Sequence, residues 1–150
     1  LTVVRKSGDV ITKFGISELL NNRFAHLPHL VGKGAAASAS EILPIASRYP
    51  KVVARIASYQ RIADRRWDVI LRNGIQIQLP EYGYENALSK IAALQESRQL
   101  LDRELTTVDA RLDGRLVVRL TQDAKKDHAD LVAARAKAIK KADQNKERHL

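Results

Sequence analysis

Between Trp67 and Leu79 the chain alternates apolar and polar residues on both sides of an Asn-Gly pair. A two-residue turn at Asn73-Gly74 would pair Arg72 with Ile75 and set Gln78 opposite Val69. A three-residue loop over Arg72, Asn73 and Gly74 instead pairs Leu71 with Ile75, Val69 with Ile77 and Trp67 with Leu79. This second register gathers every apolar residue except Ile70 on one face. A slip of one residue would carry the whole set to the other face, so the pattern selects the register. The segment therefore predicts a hairpin closed by a type I turn and a bulge, with Gly74 in the left-handed conformation.

The flanking sequence supplies the remaining layers. Thr2–Arg5 and Val10–Phe14 read as a hairpin joined by Lys6-Ser7-Gly8-Asp9. His26 to Gly34, with one Pro and two Gly, reads as a loop that docks Leu30 and Val31 on the core. Ser40 is the expected cap of a helix through Ile42, Leu43, Ile45 and Ala46, short or bent because Pro44 lies within its first turn or just past it, and stopped by Pro50. Val52–Tyr59 and Arg61–Leu71 read as strands. Pro80-Glu81-Tyr82-Gly83 breaks the sheet, and Tyr84–Leu101 has helical apolar spacing at Tyr84, Ala87, Leu88, Ile91, Leu94 and Leu101. Val108, Ala110 and Leu112 then alternate inward, Asp113-Gly114 turns, and Leu116, Val118 and Leu120 alternate inward again. The expectation is one α+β domain over residues 1–121, a mostly antiparallel twisted sheet with two helices packed against it. Residues 122–150 form a charged, Ala- and Lys-rich C-terminal tail, expected as a frayed helix or disordered.

Composition narrows the chemistry. Hydrophobic residues are 45% of the 150, enough for a core, and 26 Lys+Arg against 17 Asp+Glu give a net charge of +9. Such a balance favours acidic partners. With no cysteine there is no disulfide, thiolate metal site or cysteine nucleophile. No apolar run reaches the ~20 residues of a membrane helix. The chain opens in strand-like sequence without an initiator Met and reads as a piece of a longer protein. The four His (His26, His29, His128, His149) do not converge by spacing, and no metalloprotease, nucleophile-elbow or phosphate-loop motif occurs. Asp64, Asp68, Asp109 and Asp113 each neighbour an Arg, which surface pairing and turn chemistry explain. No cofactor, metal site or catalytic residue is expected.

Arg61, Arg65, Arg66 and Arg72 cluster around the Asn-Gly hairpin. Arg111, Arg115 and Arg119 share a parity opposite to the inward set and are expected as a basic stripe. A basic nucleic-acid or anionic-surface binder is the alternative, but no aromatic residue alternates with the stripe as stacking on bases requires. The last strand, Arg115–Leu120, ends the domain and is expected at a sheet edge, where unpaired N–H and C=O groups accept another strand.

Three stretches also resemble a known family. Gln60 to Glu81, with its Arg65-Arg66-Trp67 strand, Asn-Gly hairpin and Leu79-Pro80-Glu81 end, resembles the centre of the FtsQ (DivIB/FtsQ) family. Val108 to Leu120 is similar to that family's closing hairpin, and Leu27-Pro28-His29-Leu30-Val31-Gly32-Lys33-Gly34 to its glycine loop. The resemblance covers about residues 1–122. It implies a β domain in the periplasm of a single-pass inner-membrane protein, whose membrane helix and POTRA domain are absent here. It implies no enzyme activity, a connecting role in the divisome during septation, and FtsB and FtsL as partners, FtsB docking a strand on the closing strand. The partner-binding positions it implies are Arg65 or Arg66, Arg111, Leu112, Gly114, Arg119 and Leu120. Val118, in the middle of that strand, completes the expected edge. Enterobacterial members carry aromatic residues where Leu112 and Leu120 stand, so the anchoring contacts here are expected to be weaker or differently shaped.

Overall fold

In the computed structural model residues 2–4, 10–13 and 27–147 are described, with side chains over 27–141. β1 (Thr2–Val4) and β2 (Val10–Lys13) pair antiparallel, Thr2 opposite Lys13 and Val3 opposite Thr12. The turn expected between them, like His26 and His149, lies outside the described residues. The chain divides into two compact units, Leu1–Arg119 and Leu120–Leu150.

A six-stranded sheet carries the fold: β3 (His29–Val31), β4 (Ile56–Ile62), β5 (Arg66–Leu71), β6 (Gln76–Gln78), β7 (Leu105–Asp109) and β8 (Val117–Leu120), side by side in that order. β4–β5 and β5–β6 run antiparallel, whereas β3–β4 and β6–β7 run parallel. Parallel neighbours need a crossover. Helices α1 (Ala39–Ala46) and α2 (Pro50–Val53) provide the first, and α3 (Tyr84–Arg98) with a 3-10 turn at Leu100–Asp102 provides the second. The α+β architecture is therefore as expected, with a mixed sheet.

The Asn-Gly hairpin adopts the three-residue register. Val69 faces Ile77, the Leu71 amide donates to the Ile75 carbonyl at 2.9 Å and the Leu79 amide to the Trp67 carbonyl at 3.0 Å. Gly74 has φ +87°, so the bulge requires a residue without a Cβ. Trp67, Val69, Leu71, Ile75, Ile77 and Leu79 are all buried, together with Ala39, Ile42 and Ala46 of α1, Val52 of α2, and Ala87, Leu88 and Ile91 of α3. Arg61 lies over the Trp67 ring, 5.0 Å from its centroid, and its Nη1 donates to Glu41 Oε2 at 3.3 Å. This cation–π contact, worth about 1 kcal/mol, joins β4 to β5, and the Glu41 bond joins α1 to β4.

Several boundaries differ from the sequence reading. Val52–Tyr59 is not one strand, because Pro50 opens α2 at its first position and holds Val52 and Val53 in a helical turn. Ser38, not Ser40, precedes α1. The segment read as a docking loop contains β3, paired parallel with Ser58–Gln60, and Val31 is 48% exposed. Gly32 is required there: at φ +108°, an added Cβ would lie 2.5 Å from the Arg61 carbonyl oxygen. Arg61–Leu71 is interrupted by a turn in which Ala63 and Asp64 have φ +51° and +57°. α3 ends at Arg98, where Gln99 turns left-handed at φ +51°.

In the second unit, α4 (Gln122–Glu147) starts at Thr121, whose Oγ1 accepts from the Ala124 amide at 3.3 Å. Its side chains from Lys125 to Lys141 are exposed.

Candidate functional site: an open sheet edge

Val108 anchors β7 in the core opposite Ile77, and Ala110 is 5% exposed, its amide donating to the Gln78 carbonyl at 2.9 Å. The chain then leaves the strand. Asp109 holds the exit: Oδ1 accepts from the Arg111 amide at 3.0 Å and from Arg111 Nε at 2.9 Å, while Oδ2 accepts from Nη2 at 2.7 Å. The hydrogen bonds from Arg111 hold the Asp109 carboxyl below the usual carboxylate range. Gly114 at φ +72° and a bond from the Arg115 amide to the Leu112 carbonyl at 3.2 Å close the turn. Residues 110–116 are too few for a parallel crossover, so β8 returns antiparallel to β7.

β8 is last in the strand order, and no strand lies beyond it among the described residues. Within a strand, N–H and C=O groups of successive residues point to alternate sides. The Arg119 carbonyl accepts from the Thr106 hydroxyl of β7 at 3.2 Å, so Val117 and Arg119 direct their backbone groups toward β7. Val118 and Leu120 direct theirs outward. Val117 is 53% and Val118 43% exposed, so both faces of this strand present apolar surface. Beside it, between the start of α3 and the 110–116 connection, a groove of about 330 Å³ is lined by Pro80, Tyr82, Asn86, Lys90, Leu112 and Leu116, among others.

Arg111, Leu112, Gly114, Val118, Arg119 and Leu120 thus come together along one edge. Arg65 and Arg66 do not. They sit at the start of β5, whose axis lies three strand spacings from β8, roughly 14 Å. Arg66 instead faces Asp68, Nε to Oδ1 at 3.5 Å. The expected inward alternation fails beyond Ala110: Leu112 is 58% exposed and Val118 is uncovered. Parity assigns residues to a face and does not say whether anything covers that face. The basic stripe is also absent as a strand feature, because β8 begins only at Val117 and Arg111 is engaged by Asp109.

Asp68 is the residue that sequence reasoning misplaced. It is 1% exposed rather than a surface ion pair, and its Oδ2 accepts from Gln76 Nε2 at 3.0 Å. Asp68 stands in one row with Gln60, Gln78 and Asp109 across four strands. The alternation that buries Trp67 and Val69 also puts Asp68 on the opposite face, and the longer neighbours there bury it.

Among the described residues no group of three His, Asp or Glu side chains is placed to hold a metal ion. None of the described helices is long and apolar enough to cross a membrane. Fold and site together define an α+β domain with an open, apolar-flanked sheet edge. The family described as cell division protein FtsQ/DivIB, C-terminal, matches residues 1–111. The chain is 39% identical over 145 residues to the cell division protein FtsQ of Rhizobium radiobacter, covering 97% of this chain and 67% of that protein. It is 39% identical over 145 residues to FtsQ of Agrobacterium fabrum, covering 97% and 44%, and 40% identical over 124 residues to FtsQ of Jannaschia sp., covering 83% and 39%. The chain belongs to the FtsQ/DivIB family of cell division proteins. It spans between about two fifths and two thirds of the length of these relatives.

Proposed function

We propose that this chain is the partner-docking module of a non-enzymatic connector in the division machinery, and that it takes up an extended segment of FtsB as a further strand on β8, with FtsL in the same assembly. The full-length protein is anchored in the inner membrane by a single span outside this chain, and the module works in the periplasm. One observation carries the reading: β8 ends the sheet with Val117 and Val118 exposed on its two faces. Edge strands are ordinarily blunted by charge, Pro or a covering element, because an apolar open edge invites pairing. An edge left apolar is suited to strand addition, in which main-chain bonds give affinity and alternate side chains give selectivity.

Val118→Pro tests this directly. The Val118 N–H points away from β7, and proline is tolerated at an edge strand whose N–H faces solvent. The variant should fold normally while losing roughly 5- to 10-fold in affinity for a peptide from the periplasmic end of FtsB, about the ~1–1.5 kcal/mol of a lost hydrogen bond. Unchanged affinity in calorimetric titration, with the fold intact by circular dichroism, would sink strand addition.

A further inference from the structure

Asp109 and Arg111 are two residues apart and joined by three hydrogen bonds, and the geometry leaves part of the guanidinium unused. A guanidinium presents five N–H donors in a planar fork. Asp109 takes the side edge, formed by Nε and Nη2. The end edge, formed by Nη1 and the second hydrogen of Nη2, has no protein partner among the described residues. A second carboxylate can therefore meet Arg111 end-on without displacing the first. Arg111 also lines the groove beside β8, with Leu112 and Lys90.

We infer that Asp109 is a positioning residue for docking: it fixes Arg111 at the mouth of the groove so that the end edge of the guanidinium receives a carboxylate of the incoming acidic segment. The inference rests on the strand-addition reading above and adds the chemistry of one contact. Arg carries several rotatable bonds, and ordering such a side chain on binding costs affinity. In this chain the ordering is already done by the Asp109 carboxylate and by the short Asp109-Ala110-Arg111 spacing.

The sign of one substitution separates this role from simple electrostatics. Asp109→Asn removes a negative charge near the docking site. By Coulomb's law alone, an acidic peptide should then bind more tightly. If Asp109 positions Arg111, the same substitution weakens binding about 3- to 10-fold, the equivalent of newly ordering one rotamer-rich side chain.

The probe is the FtsB-derived peptide, titrated against the full 150-residue chain. Asp109→Asn should weaken it, Arg111→Lys should weaken it as much, and the double variant should lose no more than either alone. Arg111→Lys keeps the charge but not the fork, so it also tests the assignment if Asp109→Asn folds poorly. In nitrogen-detected NMR, the Arg111 Nε–H should exchange with water faster in Asp109→Asn. Tighter or unchanged binding in Asp109→Asn, or additive losses in the double variant, overturns the positioning role while leaving strand addition standing. Failure of the wild-type chain to bind the peptide removes both.

Discussion

Gln95 is a polar side chain where the helical pattern has room for leucine. It is 7% exposed, and its amide is used at both ends: Oε1 accepts from the Leu101 amide at 2.7 Å and Nε2 donates to Asp102 Oδ2 at 2.7 Å. Asp102 also accepts from both terminal nitrogens of Arg55, and Asn73 Nδ2 donates to the Leu101 carbonyl at 2.9 Å. The end of α3 is thus capped by side chains from α3 itself, the β5–β6 turn and the α2–β4 junction. Gln95→Ala leaves the buried Leu101 amide without its acceptor, at a cost of ~1–3 kcal/mol, which urea titration at neutral pH should show. The Gln95 and Arg55 bonds hold the Asp102 carboxyl below its ordinary value of 3.8. A lowered carboxyl pKa stabilises the fold above the ordinary value and stops doing so as pH falls through the folded one. The gap between wild type and Gln95→Ala should therefore narrow below pH 3.8; a gap that stays constant in acid would show that the carboxylate has no part in it.

The β4–β5 and β5–β6 hairpins of the central sheet contrast in how well the sequence announces them. Trp67–Leu79 has period-two alternation around Asn-Gly, and its register follows from burial alone. The β4–β5 turn has neither signal. Ala63 and Asp64 both sit at positive φ, and the Arg65 amide bonds to the Ile62 carbonyl at 3.2 Å. Asp tolerates left-handed backbone, but the conformation costs most L-residues roughly 1–2 kcal/mol, so nothing in Ala63 predicts it; the pairing of β4 with β5 imposes it. Ala63→Gly should relieve that strain and raise stability by about 0.5–1 kcal/mol after the added flexibility of the unfolded chain is subtracted, while Gly74→Ala should lower it by about as much. A loss of stability in Ala63→Gly would mean that the Ala63 methyl has packing that outweighs the strain. The same contrast accounts for the other misreadings. Val52 and Val53 look like a strand, but Pro50 presets a helical turn. Leu112 and Val118 have core parity, but alternation states which residues share a face and not whether anything covers it. Arg111 was legible as a basic residue near the edge, and its pairing with Asp109 follows from their closeness in sequence. The two-pronged geometry of that pair was not legible, because it forms only where the chain departs from strand geometry after Asp109.

The whole chain joins a sheet unit whose core is closed on the Trp67 side to a helix whose side chains lie open from Lys125 to Lys141. Hydrophobic stabilisation scales with apolar area removed from water, and over that stretch α4 removes little. At 26 residues it exceeds the ~12–15 at which an Ala-rich helix becomes marginal alone. A chain ending at residue 121 should therefore unfold within ~0.5 kcal/mol of the full chain, the range of changes that touch no buried feature. A drop of several kcal/mol in denaturant titration would make α4 part of the domain. Charge gives the same truncation a second readout. The segment from Thr121 to Leu150 has eight Lys/Arg and five acids, so it carries only +3 of the net +9. Most of the positive charge stays with the sheet unit. If docking belongs to the β8 edge, the shortened chain should bind the acidic peptide with nearly the same affinity and a similar fall in association rate as salt rises. If binding and its salt dependence vanish together with α4, the attraction resides in the basic tail, and the edge strand is not where the partner docks.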